Sequence, residues 1–166
     1  MNTMVYVDGF SFYYGCLKAA ACGEINLVEL FRDCLLPASA GRLAHLQCVH
    51  YFTSPHAGGF LEQDHAQLRV WRMSERQADV RMGLELLQDA LYGRAQQLVL
   101  CTLDEDLVPA LEMVRKSRPD CRIGLIVPTL SETRRAPPAL KALADWCRAT
   151  VTIDELLACV VTEVAA

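Results

Sequence analysis

The chain has 166 residues, 52% of them hydrophobic, and a formal net charge of −4. That length suits one domain, residues 1–166, with a sizeable core, and the apolar fraction excludes a disordered chain. The acidic balance argues against a long basic nucleic-acid tail but leaves room for a local basic patch. In chain order, Met4–Val7 reads as a buried strand that stops at Asp8 and Gly9. A short helix is expected from Ser11 to about Ala21, closed near Gly23. Leu27–Leu36 has helical spacing, with Asn26 as N-cap and Pro37 as the stop. "LQCVHYFT", 46–53, is the second strand and "SPHAGG", 54–59, a loop. The next stretch reads as a short helix and then an extended piece around Leu68–Trp71. Asp79–Leu91 is an amphipathic helix whose inner face is expected to carry Val80, Gly83, Leu84, Leu87 and Leu91. "QLVLCT", 97–102, is a strand, Leu107–Lys116 a helix with Asp104 or Glu105 at its start, and "CRIGLIVP", 121–128, a strand. "SETRRAPP" is a polar loop and "ALKALADWC" a short helix. "ATVTI" is an edge strand, and Asp154 caps a final helix.

Strands alternating with helices predict an α/β fold with a central, mostly parallel sheet and helices on both faces. The expected core includes Val5, Val7, Val99, Cys101, Ile123 and Leu125, with Leu84 and Leu87 from the middle helix. No apolar run reaches membrane-span length, and the N-terminus lacks a signal-peptide pattern. Eight cysteines occur without a C-x-x-C pair, which argues against a structural zinc site. Cys34, Cys48, Cys101, Cys121 and Cys159 fall in apolar segments and read as reduced core residues of a cytoplasmic protein.

In a parallel α/β sheet, ligands bind beyond the carboxyl ends of the strands. Asp8 closes the first strand, and Asp104, Glu105 and Asp106 follow the strand at 97–101, so both acidic groups belong to one edge. Asp79 opens the middle helix and is placed there by inference. Carboxylates that converge cannot all ionise without a cation between them. Oxygen donors with no nearby His or Cys favour Mg²⁺ or Mn²⁺, and such a site suits phosphodiester hydrolysis. The competing expectation is that each acid only caps the helix that follows it.

"VYVDGFSFYYG", "VWRMSERQADVRMGLELLQDAL" and "LVLCTLDEDLVPALEMVRK", in this order and followed by "CRIGLIVP" and "LKALADWC", resemble the motifs of NYN domains across nearly the whole chain. The resemblance implies a three-layer α/β/α, PIN-like fold and a divalent-metal ribonuclease site using Mg²⁺ or Mn²⁺. Its acidic positions fall on Asp8, Asp79, Asp104 and Asp106, and some members carry a further acid where Glu85 and Asp89 stand. Hydrolysis in such a family would leave 5′-phosphate products. Ser11 replaces the family's usual Asn, Arg76 its Lys, and Leu103 a Gly or Asn where unusual backbone angles are tolerated. Ser11, Thr102 and Glu85 are expected to orient the ligand carboxylates. Arg72, Arg76 and Arg81, with Arg69 close by, and Arg134 and Arg135 are candidates to contact the phosphates of single-stranded RNA, against the default of a solvated surface. Trp71, Tyr13 and Tyr14 are candidates for base stacking, and for the two tyrosines packing against the first helix is the stronger expectation. His50, His56 and His65 share no ligand spacing. A homodimer is a further expectation. The alternative function is a catalytically degenerate NYN domain acting as an RNA-binding or protein-interaction module.

Overall fold

The runs Val5–Val7, Leu98–Cys101 and Ile123–Ile126 are apolar on both alternating sides, as a sheet covered on two faces requires. The structure, a computed structural model, describes residues 1–40, 43–62 and 66–162. Six strands form one sheet: β1 (Asn2–Asp8), β2 (His45–Thr53), β3 (Leu68–Arg72), β4 (Gln97–Cys101), β5 (Arg122–Ile126) and β6 (Trp146–Arg148). Their order is β3-β2-β1-β4-β5-β6 and every pair is parallel. Val5, Val7, Val49, Val99, Cys101 and Ile126 point to one face. Tyr6, Phe52, Leu98, Leu100, Ile123 and Leu125 point to the other. The result is a three-layer α/β/α fold, and the predicted strand core is buried throughout.

The first face is covered by two helical segments. One runs through α1 (Gly9–Phe12), a π-helical turn at Tyr13–Leu17 and α2 (Lys18–Ala20). It ends at Ala21, whose φ of 47° makes it the one non-glycine residue with positive φ among those described. The other runs through α3 (Leu27–Glu29), a π-helical turn at Leu30–Leu35 and α4 (Leu36–Ser39). Asn26 caps it as expected, accepting from the Glu29 N–H at 3.1 Å. Pro37 does not stop it, because Pro37 enters α4 at its first turn, behind π-helical bonding in which the Leu36 N–H reaches the Phe31 carbonyl.

The second face carries α5 (Glu75–Leu91), α6 (Val108–Ser117), entered through a 3₁₀ turn at Glu105–Leu107, and α7 (Pro138–Leu143). α5 begins four residues before Asp79, capped by Ser74. Its buried stripe is Ala78, Met82, Leu86, Asp89 and Ala90, while Val80, Leu84 and Leu91 are exposed and Leu87 is half-buried. Of the expected inner face, Val80, Leu84 and Leu91 therefore point outward, while Gly83 and Leu87 are half-buried, Gly83 against α6. The edge strand also differs from expectation. Trp146–Arg148, not 149–153, pairs with β5, because the Asp145 carboxylate accepts the Ile123 N–H at 2.7 Å and the Trp146 indole lies against Gly124. α8 (Ile153–Ala158) closes the fold. It is capped by Thr152 in a capping box with Glu155, rather than by Asp154.

The short helix expected after residue 60 falls partly on 63–65, and that part, like His65, lies outside the described residues. All eight cysteines are free thiols. Among the described residues no helix is long and apolar enough to cross a membrane.

Candidate metal centre

Parallel pairing of β1 with β4 brings the residues after Val7 and Cys101 to one edge of the sheet. Asp8 is 93% buried there. Its Oδ2 accepts from Ser11 Oγ at 2.8 Å and Thr102 Oγ1 at 3.2 Å, and its Oδ1 from the Ser11 N–H at 3.2 Å. Thr102 Oγ1 in turn accepts the Asp104 N–H at 3.0 Å, which fixes the turn that presents Asp104. Ser11 and Thr102 thus hold the Asp8 carboxylate, and Thr102 also braces the backbone of Asp104. Leu103 sits in this turn without a positive φ, so its departure from Gly or Asn carries no backbone strain.

Asp8, Asp79 and Asp104 each offer a carboxylate oxygen, and these oxygens lie within 4.8 Å of one another. Asp8 caps α1 and Asp104 caps the 3₁₀ turn, so capping alone accounts for part of their placement. It does not account for Asp79, which stands in the second turn of α5 behind the Ser74 cap. Elsewhere Asp33, Asp120, Asp145 and Glu155 each face an arginine, and hydrogen bonds from those arginines help hold them below the usual carboxylate range. Among the described residues none of the three clustered acids has a Lys, Arg or His partner. Burial pushes Asp79 up to about 7, reinforced by the hydrogen bond and charge of Asp104 and the charges of Asp8 and Glu75. Without a cation the cluster therefore releases its proton only near neutral pH. Three carboxylate oxygens and no sulfur or imidazole suit a hard divalent cation such as Mg²⁺ or Mn²⁺.

The other expected site residues are distributed differently. Asp106 is exposed and does not join the three; its N–H donates to Asp104 Oδ1 at 2.9 Å. Glu85 pairs with Arg81 at 2.8 Å instead of facing the cluster. Arg72 is committed inside the protein, donating to the carbonyls of Ser54, Pro55 and Ala57 and to Glu62. Arg81 lies over the Trp71 ring at 4.5 Å, with Arg69 over the same ring at 3.9 Å. Trp71 also stacks on Phe52 and donates its indole N–H to His50 Nδ1, so its ring is covered rather than offered to a base. Arg76, Arg134 and Arg135 are exposed. Asp89 belongs to a separate buried network, accepting from Tyr6 Oη at 2.5 Å and Arg94 at 3.2 Å beside His50.

Two features were not read from the sequence as parts of the site. Glu75 adds its charge to Asp79. A cleft of about 720 Å³ opens beside the acids, from Gly9 past Tyr13 and Tyr14 to the loop 54–59, with Glu75 on its rim. The Tyr-Tyr pair after Asp-Gly and the loop's glycines were its only signal.

No family model matches this chain. It is similar to the 6-hydroxy-3-succinoylpyridine 3-monooxygenase HspA of Pseudomonas putida (strain DSM 28022 / S16), at 28% identity across 96% of this chain and 70% of that protein. A crystal structure of a protein of unknown function, VPA0982 from Vibrio parahaemolyticus RIMD 2210633, matches with a TM-score of 0.59 at 14% identity, over 93% of this chain and 94% of that one. At that identity the likeness shows the shared fold.

Proposed function

We propose that this chain is a divalent-metal-dependent ribonuclease of the NYN type, acting on single-stranded RNA. The observation that carries the reading is the convergence of Asp8, Asp79 and Asp104 without a basic partner, at the edge of a parallel sheet where ligands bind. Asp79 is the strongest member, because no local capping role accounts for it. The chemistry a bound Mg²⁺ or Mn²⁺ supplies is charge neutralisation at a phosphate oxygen and a more acidic water. The protein's own part is to hold the donors. Ser11 and Thr102 fix the Asp8 carboxylate, and the Asp106 N–H fixes Asp104. The reading rests on three acids, with Asp106 outside the set. Calorimetric titration with Mn²⁺ beside a cleavage assay on single-stranded RNA tests it. Metal uptake and cleavage that both vanish in Asp8→Asn support it; a wild type that takes up no Mn²⁺ and cleaves no RNA refutes it.

A second reading, monooxygenation of a substituted pyridine, is favoured by the similarity to the Pseudomonas putida monooxygenase. Turnover of 6-hydroxy-3-succinoylpyridine that requires both dioxygen and a supplied two-electron donor, unaffected by Asp104→Asn, would select it over the nuclease.

A further inference from the structure

The cleft beside the acids has a composition of its own. Its walls include Tyr13 and Tyr14, set edge to face with centroids 5.2 Å apart, and Tyr14 is 65% exposed. Thr53, Ser54 and His56 supply hydrogen-bonding groups, and among the described residues Glu75 is the one carboxylate that lines it, with no lysine or arginine. A neutral flat ring with N–H donors finds aromatic faces to stack on and a carboxylate to receive its hydrogens. The volume, about 720 Å³, falls in the range of small-molecule sites, roughly 300–1,000 Å³.

The cleft is also formed in advance. Gly9 lets α1 seat directly on β2: a Cβ there would lie 2.4 Å from the Phe52 carbonyl oxygen. The opposite wall is fixed by Arg72, whose guanidinium holds three carbonyls of the 54–57 segment. Gly9 follows Asp8 in the chain, and Glu75 stands four residues before Asp79 on α5, so two of the residues that line the cleft share their elements with the acids. Outside the residues that line it, Lys18 Nζ stands over the Tyr14 ring, 5.3 Å from its centre.

We propose that this cleft takes one unpaired nucleobase, stacked on Tyr14, of the strand whose backbone reaches Asp8, Asp79 and Asp104. The proposal rests on the ribonuclease reading and gives its preference for single strands a structural cause, since a base held in a duplex is already stacked and cannot enter.

The experiment uses fluorescein-labelled single-stranded and duplex RNA in Ca²⁺, with gels to confirm that the strands stay intact. Anisotropy is measured for the wild type, Tyr14→Ala and Tyr14→Phe, and Mn²⁺ uptake is measured by calorimetry for all three. A single strand carrying 2-aminopurine reports base insertion. The expected result is that Tyr14→Ala weakens single-strand binding roughly tenfold, within the range for one base–aromatic stack. Tyr14→Phe should restore it, 2-aminopurine emission should fall only when an aromatic ring is present, and Mn²⁺ uptake should be equal in all three. Equal single-strand affinity in wild type and Tyr14→Ala, or duplex bound as well as single strand, overturns the cleft assignment while intact Mn²⁺ uptake leaves the nuclease reading standing. Absence of Mn²⁺ uptake in the wild type removes both.

Discussion

Replacing Asp79 by Asn should stabilise the metal-free protein, and more so at high pH than at low. In the fold Asp79 titrates near 7, against 3.8 for a free aspartate, so the folded state holds a proton that the unfolded chain releases. Stability from this group is therefore full below the unfolded value, falls as pH rises through the window from 3.8 to about 7, and stays reduced above it. Three units correspond to a ceiling of about 4 kcal/mol. Asp79 is partly open to water, and screening brings the expected cost to about 1–2 kcal/mol. For a domain of this size that is a difference in midpoint of roughly 2–8 °C. Asn keeps an N–H to donate to Asp104 and cannot ionise. Thermal melts in EDTA at about pH 4 and pH 8 for both proteins measure the effect as a difference, in which the arginine-paired carboxylates cancel. Asp79→Asn should match the wild type near pH 4 and exceed it near pH 8. Saturating Mn²⁺ should reverse the order, because the variant loses a charged ligand. A variant destabilised by the same amount at both pH values would show that Asp79 is held by packing and not by crowded charge.

Further outcomes follow from the same geometry. Asp8→Asn and Asp104→Asn should each abolish metal-dependent RNA cleavage with the circular dichroism spectrum unchanged, while Glu112→Gln, on the exposed side of α6, should leave cleavage intact. Leu86→Ala should cost about 2–5 kcal/mol by leaving a cavity, and Leu84→Ala, 58% exposed, within about 0.5 kcal/mol, both read from urea midpoints. Equal effects would mean that the helix face is assigned wrongly. Gly124→Ala should loosen β6, since a Cβ there would stand 2.1 Å from the Trp146 ring; faster amide exchange at Trp146–Arg148 checks it.

The strands at the centre of the sheet were legible because each is a short apolar run ended by a polar turn, and Asp8 and Asp104 were placed by that same pattern; the edge strand Trp146–Arg148, with its arginine and only three residues, was not. α5 was not, for a physical reason. It carries two apolar stripes: the buried one holds Ala78, Met82, Leu86 and Ala90 together with the charged Asp89, and the exposed one carries Val80, Leu84 and Leu91. Hydropathy does not separate them cleanly, and Asp89 is accommodated by a long-range bond from Tyr6 that no periodicity reports. Arg72 and Trp71 were misjudged in the same way, since their partners are carbonyls and rings brought up by the loop 54–57 and by β2. Asp106 follows Asp104 by two residues, but the 3₁₀ turn uses its N–H as a brace for Asp104 and leaves its carboxylate outside the cluster.

The strand order has a consequence for how the acids meet. β1 sits between β2 and β4, so one of its edges pairs with a strand that follows closely and the other waits for a much later segment. The bond from Thr102 to Asp8 joins residues 94 apart. Such long-range parallel pairing forms late, after the entropy of closing the intervening chain has been overcome. Repulsion among Asp8, Asp79 and Asp104 is then met only when β4 docks. A strain absent from the folding barrier shows itself in the rate of opening rather than the rate of closing. A cation seated among the three acids would therefore act as a latch on the β1–β4 seam, slowing the escape of the finished sheet while leaving its assembly at the same pace.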